Sequence, residues 1–170
     1  MFNLLLVALA ALSAGAVGAL ATVRVPDLAR VVAHGGALMH KVHGDKAWEM
    51  PPMRRIQDSG IHWGLGSDAT AVTTSNPFYT LWFAVTGKMI GGRKVNRQTI
   101  TREEALIAHT RNNAQFLFRE GDLGSIQKGK YADLLVLDRD YLTVAADSIK
   151  DLRPVLTLVG GRIVYDGKKM

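Results

Sequence analysis

The sequence predicts an α/β fold on three observations. An apolar, glycine-punctuated run extends from Ile61 to Gly66, two stretches of helical spacing lie between Pro77 and Phe118, and the period changes from helix to strand after Gly124. With 170 residues, 48% of them hydrophobic and 21% charged, the chain is large enough to bury a core and does not have the composition of a disordered protein. It carries 17 glycines and only 5 prolines, so turns are plentiful and no proline-rich linker divides it. Cysteine is absent, which excludes disulfides and thiolate metal sites, so a metal here would need nitrogen and oxygen ligands.

Taken in order, the first element is an apolar segment. From Leu4 to Val23 only Leu, Val, Ala, Gly, Ser and Thr occur, about the length of a bilayer span. Ala19, Leu20 and Ala21 form a small-x-small site that would free Thr22, but no Lys or Arg precedes the run. Residues 1–23 are therefore expected to be a signal peptide or anchor that contacts the membrane. The competing readings are a buried helix of a larger fold and a start codon placed inside a longer frame. On the first reading the protein is secreted or membrane-associated, and otherwise cytoplasmic.

From Val25 to Met50 the pattern is irregular and is expected to be loop, with a short helix around Asp27 to Val32. Pro52 to Asp58 has a proline in its first turn and Gly60 just beyond its end, the order expected of a short helix. Ile61 to Gly66 then suits a buried parallel strand ending at Ser67-Asp68. Phe78, Tyr79, Leu81, Trp82, Val85 and Met89 follow at helical spacing, and the helix is expected to stop at Gly91-Gly92. Thr101 with Glu104 forms a capping box, and Leu106, Thr110, Ala114, Leu117 and Phe118 continue that helix to Gly121 and Gly124. Ala132 to Leu137, Val155 to Val159 and Arg162 to Tyr165 read as three strands of one sheet, the last two joined by a Gly160-Gly161 hairpin turn.

A formal charge of +6 raises the question of nucleic acid. The densest basic stretch, Lys88, Arg93, Lys94, Arg97 and Arg102, has no interleaved aromatic side chains on which bases could stack. It reads as a solvated loop, and no nucleic-acid partner is expected.

Asp68, at the carboxyl end of the proposed strand in Gly64-Leu65-Gly66-Ser67-Asp68-Ala69, is where an α/β enzyme presents a catalytic group. Read by itself, an aspartate there is more often a cap or turn former than a catalytic group. His40 and His43 are spaced H-x-x-H among glycines and read as exposed loop residues. His62 and His109 fall inside a predicted strand and a predicted helix, and read as packing or surface residues.

Leu65-Gly66-Ser67-Asp68, then Glu103-Glu104-Ala105-Leu106 with Thr110 and Ala114, then Gly124 through Asp138, resemble the closing motifs of the amidohydrolase superfamily in order and spacing. The final Val159-Gly160-Gly161-Arg162-Ile163-Val164-Tyr165-Asp166-Gly167 is similar to the hairpin that ends those proteins. The resemblance runs from about Pro51 to Asp166 and is strongest to the amidohydrolase type 3 group. It implies that residues 24–120 are the terminal part of a (β/α)₈ barrel and residues 121–170 part of a small β-sandwich. It also implies hydrolysis of non-peptide carbon–nitrogen bonds in a small-molecule substrate, with one or two divalent metals, usually zinc. Asp68 would then follow the eighth strand, contact the metal centre and carry the proton from water to the leaving nitrogen. Lys130 and Asp133 are expected to be structural.

The sequence departs from the family in lacking the H-x-H metal pair that follows the first barrel strand, and a remnant of a later barrel strand is only the minor reading of His34. A closed barrel takes about 250 residues, so the chain is expected to carry only the end of one. The alternative function is a non-catalytic, membrane-attached or secreted module that reuses the terminal fold.

Overall fold

The computed structural model describes residues 6–8, 36–67 and 75–168. Its architecture is mixed α/β: helices and an irregular segment pack on one face of a small antiparallel sheet. The elements are β1 (Leu6–Ala8), α1 (Gly36–His43), α2 (Met53–Asp58), α3 (Pro77–Thr86), α4 (Arg102–His109), α5 (Arg111–Phe116), β2 (Leu134–Leu137), β3 (Pro154–Val159) and β4 (Arg162–Asp166). Short 3₁₀ helices occupy Gly44–Glu49 and Ala146–Asp151. The helix expected around Asp27 to Val32 lies outside the described residues.

The sheet order is β1-β2-β3-β4, antiparallel throughout. Gly160 and Gly161 both adopt positive φ, 56° and 79°, as the two-residue hairpin requires. Asp133 fixes that turn by accepting the Gly160 amide at 2.6 Å, which is the structural role expected of it. Lys130 is structural too: its ammonium donates to the carbonyls of Glu120 and Leu123 and to the Ser125 hydroxyl. β1 lies within the apolar segment expected to be a signal or anchor, and pairs Leu6 with Val136 and Ala8 with Leu134. The rest of that segment is outside the described residues, among which no helix is long and apolar enough to cross a membrane.

The core draws on both sides of residue 120. Met53, Trp63, Leu65, Phe78, Leu81, Trp82, Phe83 and Ile100 pack with Leu135, Leu137, Tyr141, Ile149 and Leu152 in one cluster. At its centre is α3, whose Phe78, Thr80, Leu81, Trp82, Phe83 and Ala84 are all buried, so the helix is covered on every side and not along a single stripe. Asn76 caps its start by accepting the Phe78 amide at 2.9 Å, with Pro77 at the first helical position.

Four expectations need correction. First, α3 stops at Gly87, where φ is 68°, and not at Gly91-Gly92. A Cβ at Gly87 would collide with the Asn96 carbonyl, so the left-handed turn and the close approach both demand glycine. Gly91 and Gly92 instead turn a short hairpin closed by the Lys88–Lys94 bridge. Second, the stretch before Met50 is not all loop, since Gly36–His43 form α1. His40 on α1 is half-buried: its Nε2 donates to the Val95 carbonyl at 2.9 Å and its ring lies 4.3 Å edge-on from Trp48. His43 is exposed as expected.

Third, the capped helix is two helices. Both halves of the Thr101/Glu104 capping box are present. Thr110, however, sits at φ −121° and ψ −79°, outside the helical region, and separates α4 from α5. Fourth, residues 61–67 have no regular secondary structure and are not a strand. A parallel strand exists only beside another strand, and the described residues place helices there instead. The described residues thus form a mixed α/β fold with a small antiparallel sheet.

Candidate functional site

Asp68 and His34 lie outside the described residues. The segment that leads to Asp68 does not, and its anchoring is well defined. Alternate side chains of residues 61–67 point inward, burying Trp63 and Leu65 and leaving Ile61, His62 and Gly66 exposed. The Trp63 indole donates to Gln57 on α2 at 2.9 Å. Its backbone partners come from the α4–α5 junction: the Leu65 amide donates to the Ala108 carbonyl at 3.1 Å, Asn112 Nδ2 to the Trp63 carbonyl at 2.7 Å, and Asn113 Nδ2 to the Leu65 carbonyl at 2.8 Å. His62 adds a bond from Nε2 to the Asn112 carbonyl at 3.1 Å and stacks edge-on against Phe116.

The interruption at Thr110 makes this possible. In a continuous helix the Ala108 and His109 carbonyls would point along the axis toward the next turn. Here they accept bonds from Leu65 and from Asn113 Nδ2, the latter at 3.1 Å. Asn113 is only 4% exposed, and its Oδ1 lies so close to Gly64 that a Cβ there would overlap it. Gly64 therefore permits the close approach expected of the glycines beside Asp68, whereas Gly66 meets no described atom.

His109 is a core residue, as its place inside the predicted helix suggested. The Thr80 hydroxyl gives its one proton to the Pro77 carbonyl at 2.7 Å, so at 2.9 Å it accepts from His109 Nε2. Burial holds the imidazole below its ordinary value of 6.5 and keeps it neutral. Between that unfolded value and the lower folded one, the unfolded chain binds the extra proton, so stability falls on acidification below about 6.5. Unfolding free energy measured from pH 7.5 to 5.5 is expected to decline, and His109→Gln, which still donates to Thr80, to flatten the decline.

A second set of contacts fastens the base of α4. Arg54 on α2 grips Glu104 through two bonds of 2.8 and 2.9 Å and also bridges Asp58. The guanidinium and the Thr101 amide hold the Glu104 carboxyl below its usual range. Arg102 donates to the carbonyls of Tyr141 and Val144, and the buried Tyr141 hydroxyl returns a bond to the Arg102 carbonyl at 3.0 Å. Above α4 lies a shallow cleft lined by Pro77, Phe78, Leu81, Leu106, His109 and Leu135.

Among the described residues no group of three His, Asp or Glu side chains is placed to hold a metal ion. His40, His62 and His109 are each committed to a separate packing contact. The described residues thus do not by themselves fit a divalent metal. Asn112, Asn113 and Thr80 were not singled out by the sequence reading. Two adjacent asparagines in a helical run were the available signal, since asparagine is a poor helix former unless its amide has backbone to bind.

A family model described as "Amidohydrolase family" matches residues 12–165. An N-substituted formamide deformylase from Arthrobacter pascens is 35% identical over 116 residues, covering 68% of this chain and 21% of the deformylase. An imidazolonepropionase from Porphyromonas gingivalis is 32% identical over 114 residues, 67% of this chain and 25% of that protein. Among solved structures, an amidohydrolase from Thermotoga maritima superposes with a TM-score of 0.53 at 20% identity, over 69% of this chain and 26% of its own. A metal-dependent hydrolase from Pyrococcus furiosus does so with a TM-score of 0.50 at 25% identity, over 71% and 27%. The chain therefore spans between a fifth and just over a quarter of the relatives it matches.

Proposed function

Because the chain belongs to the amidohydrolase family, we propose that it contributes the terminal part of a metal-dependent hydrolase of non-peptide carbon–nitrogen bonds, with Asp68 as the proton carrier. The observation that carries this reading is the anchoring of residues 61–67. Three backbone groups of Trp63 and Leu65 are tied to the α4–α5 junction, so the chain is delivered to Asp68 in one register. A deformylase of N-substituted formamides among the relatives supports a non-peptide amide as the substrate class.

The family is metal-dependent, and a divalent ion would supply an activated water. The described residues do not assemble such a site, so the remaining ligands come from parts of the barrel outside them. What this chain supplies is the Asp68 carboxylate. It accepts the proton released as water adds to the substrate carbon and returns it to the nitrogen as the carbon–nitrogen bond breaks. Turnover of a completed barrel carrying this terminus, with Asp68 and with Asp68→Asn, tests the assignment.

A further inference from the structure

We propose that α1 and residues 93–97, which pack against it, form a docking face for an anionic membrane surface. The densest basic stretch of the sequence, Lys88 to Arg102, is divided by the structure. Lys88 grips Asp147, and Arg102 donates to the carbonyls of Tyr141 and Val144, so both are engaged within the fold. Arg93, Lys94 and Arg97 are exposed and join two exposed cations from another part of the chain, Lys41 on α1 and Lys46 in the 3₁₀ helix that follows it. The two segments touch directly. His40 Nε2 donates to the Val95 carbonyl, the Arg97 amide donates to the Trp48 carbonyl at 2.8 Å, and the Arg97 guanidinium lies 4.2 Å over the Trp48 ring. Against these five cations the same segments carry two carboxylates, Asp45 and Glu49, and Glu49 accepts a bond from Gln98. Among the described residues none of the five forms an ion pair, so the face keeps its positive charge.

The apolar side chains among these cations set the class of partner. Gly36 and His40, one turn apart on α1, meet Val95, so at helical spacing Leu38, Lys41 and Val42 project from the opposite side. Leu38 is 61% exposed and Val42 65%, an apolar pair one turn apart with Lys41 beside it. Ile90, 43% exposed, lies in the hairpin that carries Arg93 and Lys94. Exposed aliphatic side chains flanked by cations suit the boundary of a bilayer: the aliphatic groups enter the acyl region while the ammonium and guanidinium groups meet anionic headgroups. A nucleic acid makes no use of Leu38 and Val42, and the Trp48 ring, on which a base would stack, already has Arg97 over it and His40 edge-on.

The test is co-sedimentation of the 170-residue chain with phosphatidylcholine vesicles, prepared without and with about 30% phosphatidylserine, at low and at high salt. Binding to the anionic vesicles is expected, and it should fall as salt rises. Lys41→Glu combined with Lys94→Glu is expected to weaken it about tenfold or more, since each cation near an anionic surface contributes roughly fivefold. Leu38→Ser combined with Val42→Ser should weaken it by about tenfold as well, through loss of the inserted apolar groups. All four positions are exposed, so the fold should survive, as circular dichroism would check. Arg153→Glu combined with Arg162→Glu makes the same change in net charge at exposed positions of the sheet, and should leave binding within about twofold. No binding to anionic vesicles, or binding that is equal on neutral ones, would overturn the proposal. Binding unchanged in both double variants of the face would assign the contact to the apolar N-terminal residues and overturn it too. So would an equal loss in the sheet variant, which reports net charge alone, or retention on DNA without retention on vesicles.

Discussion

Asp68→Asn in a completed barrel is expected to lower turnover by roughly two orders of magnitude or more, the usual range for loss of a positioned general acid–base group. Asparagine matches the carboxylate in shape but cannot take a proton, so the water's proton has no acceptor and the leaving nitrogen no donor. Substrate binding should change much less than turnover, since the side chain keeps its volume and one oxygen acceptor. Folding should survive, because Trp63, Leu65, Asn112 and Asn113 seat residues 61–67 and the substitution leaves them in place. Steady-state kinetics and a denaturation curve on the same preparation separate the two effects. Unchanged turnover would remove Asp68 from the mechanism.

Trp82→Ala is expected to destabilise the protein by about 3–5 kcal/mol, the range for truncating a large buried aromatic side chain. Trp82 is 1% exposed in the middle of α3 and joins the helical layer to the Ala146–Asp151 turn. Its indole faces Asp147, which Lys88 grips at 2.7 Å, and the Lys150 ammonium sits 5.9 Å over its ring. Truncation would open a cavity where the helical layer meets this turn, and α3, buried on all sides, has little freedom to close it. The midpoint of chemical denaturation, followed by circular dichroism, reads the loss. A shift worth less than about 1 kcal/mol would mean that the core is not organised around α3.

The elements legible in the sequence are those whose cause is local. The Thr101/Glu104 capping box, the Pro77 start of α3 and the Gly160-Gly161 hairpin each depend on residues within a few positions of one another, and all three are present. Where the cause is distant, reading fails. Ile61 to Gly66 has the composition of a buried strand, but strand identity belongs to the neighbour, and the neighbour here is a helix junction about fifty residues on. The end of α3 offered three glycines. Only the Asn96 carbonyl, folded back against Gly87, selects the first.

The break at Thr110 was hidden for the same reason. Leu106, Ala114 and Leu117 keep helical spacing through it, and what favours the interruption is the Leu65 amide waiting for a carbonyl. Of the candidate site, the motif around Asp68 identified the family, and the family match bears that out. The motif could not reveal the amides of Asn112 and Asn113, whose role exists only once the two segments meet.

Zinc content of the purified 170-residue chain tests most directly the claim that it supplies a carboxylate to a site whose other ligands it does not assemble. A catalytic zinc site takes about three protein ligands and a water, whereas His40, His62 and His109 each serve a separate packing contact. The expected result, after loading with zinc and dialysis, is well below one equivalent per chain, with no metal-dependent amidase activity. One tightly held equivalent that disappears in Asp68→Ala, together with such activity, would contradict it and show that Asp68 finds its partners within this chain.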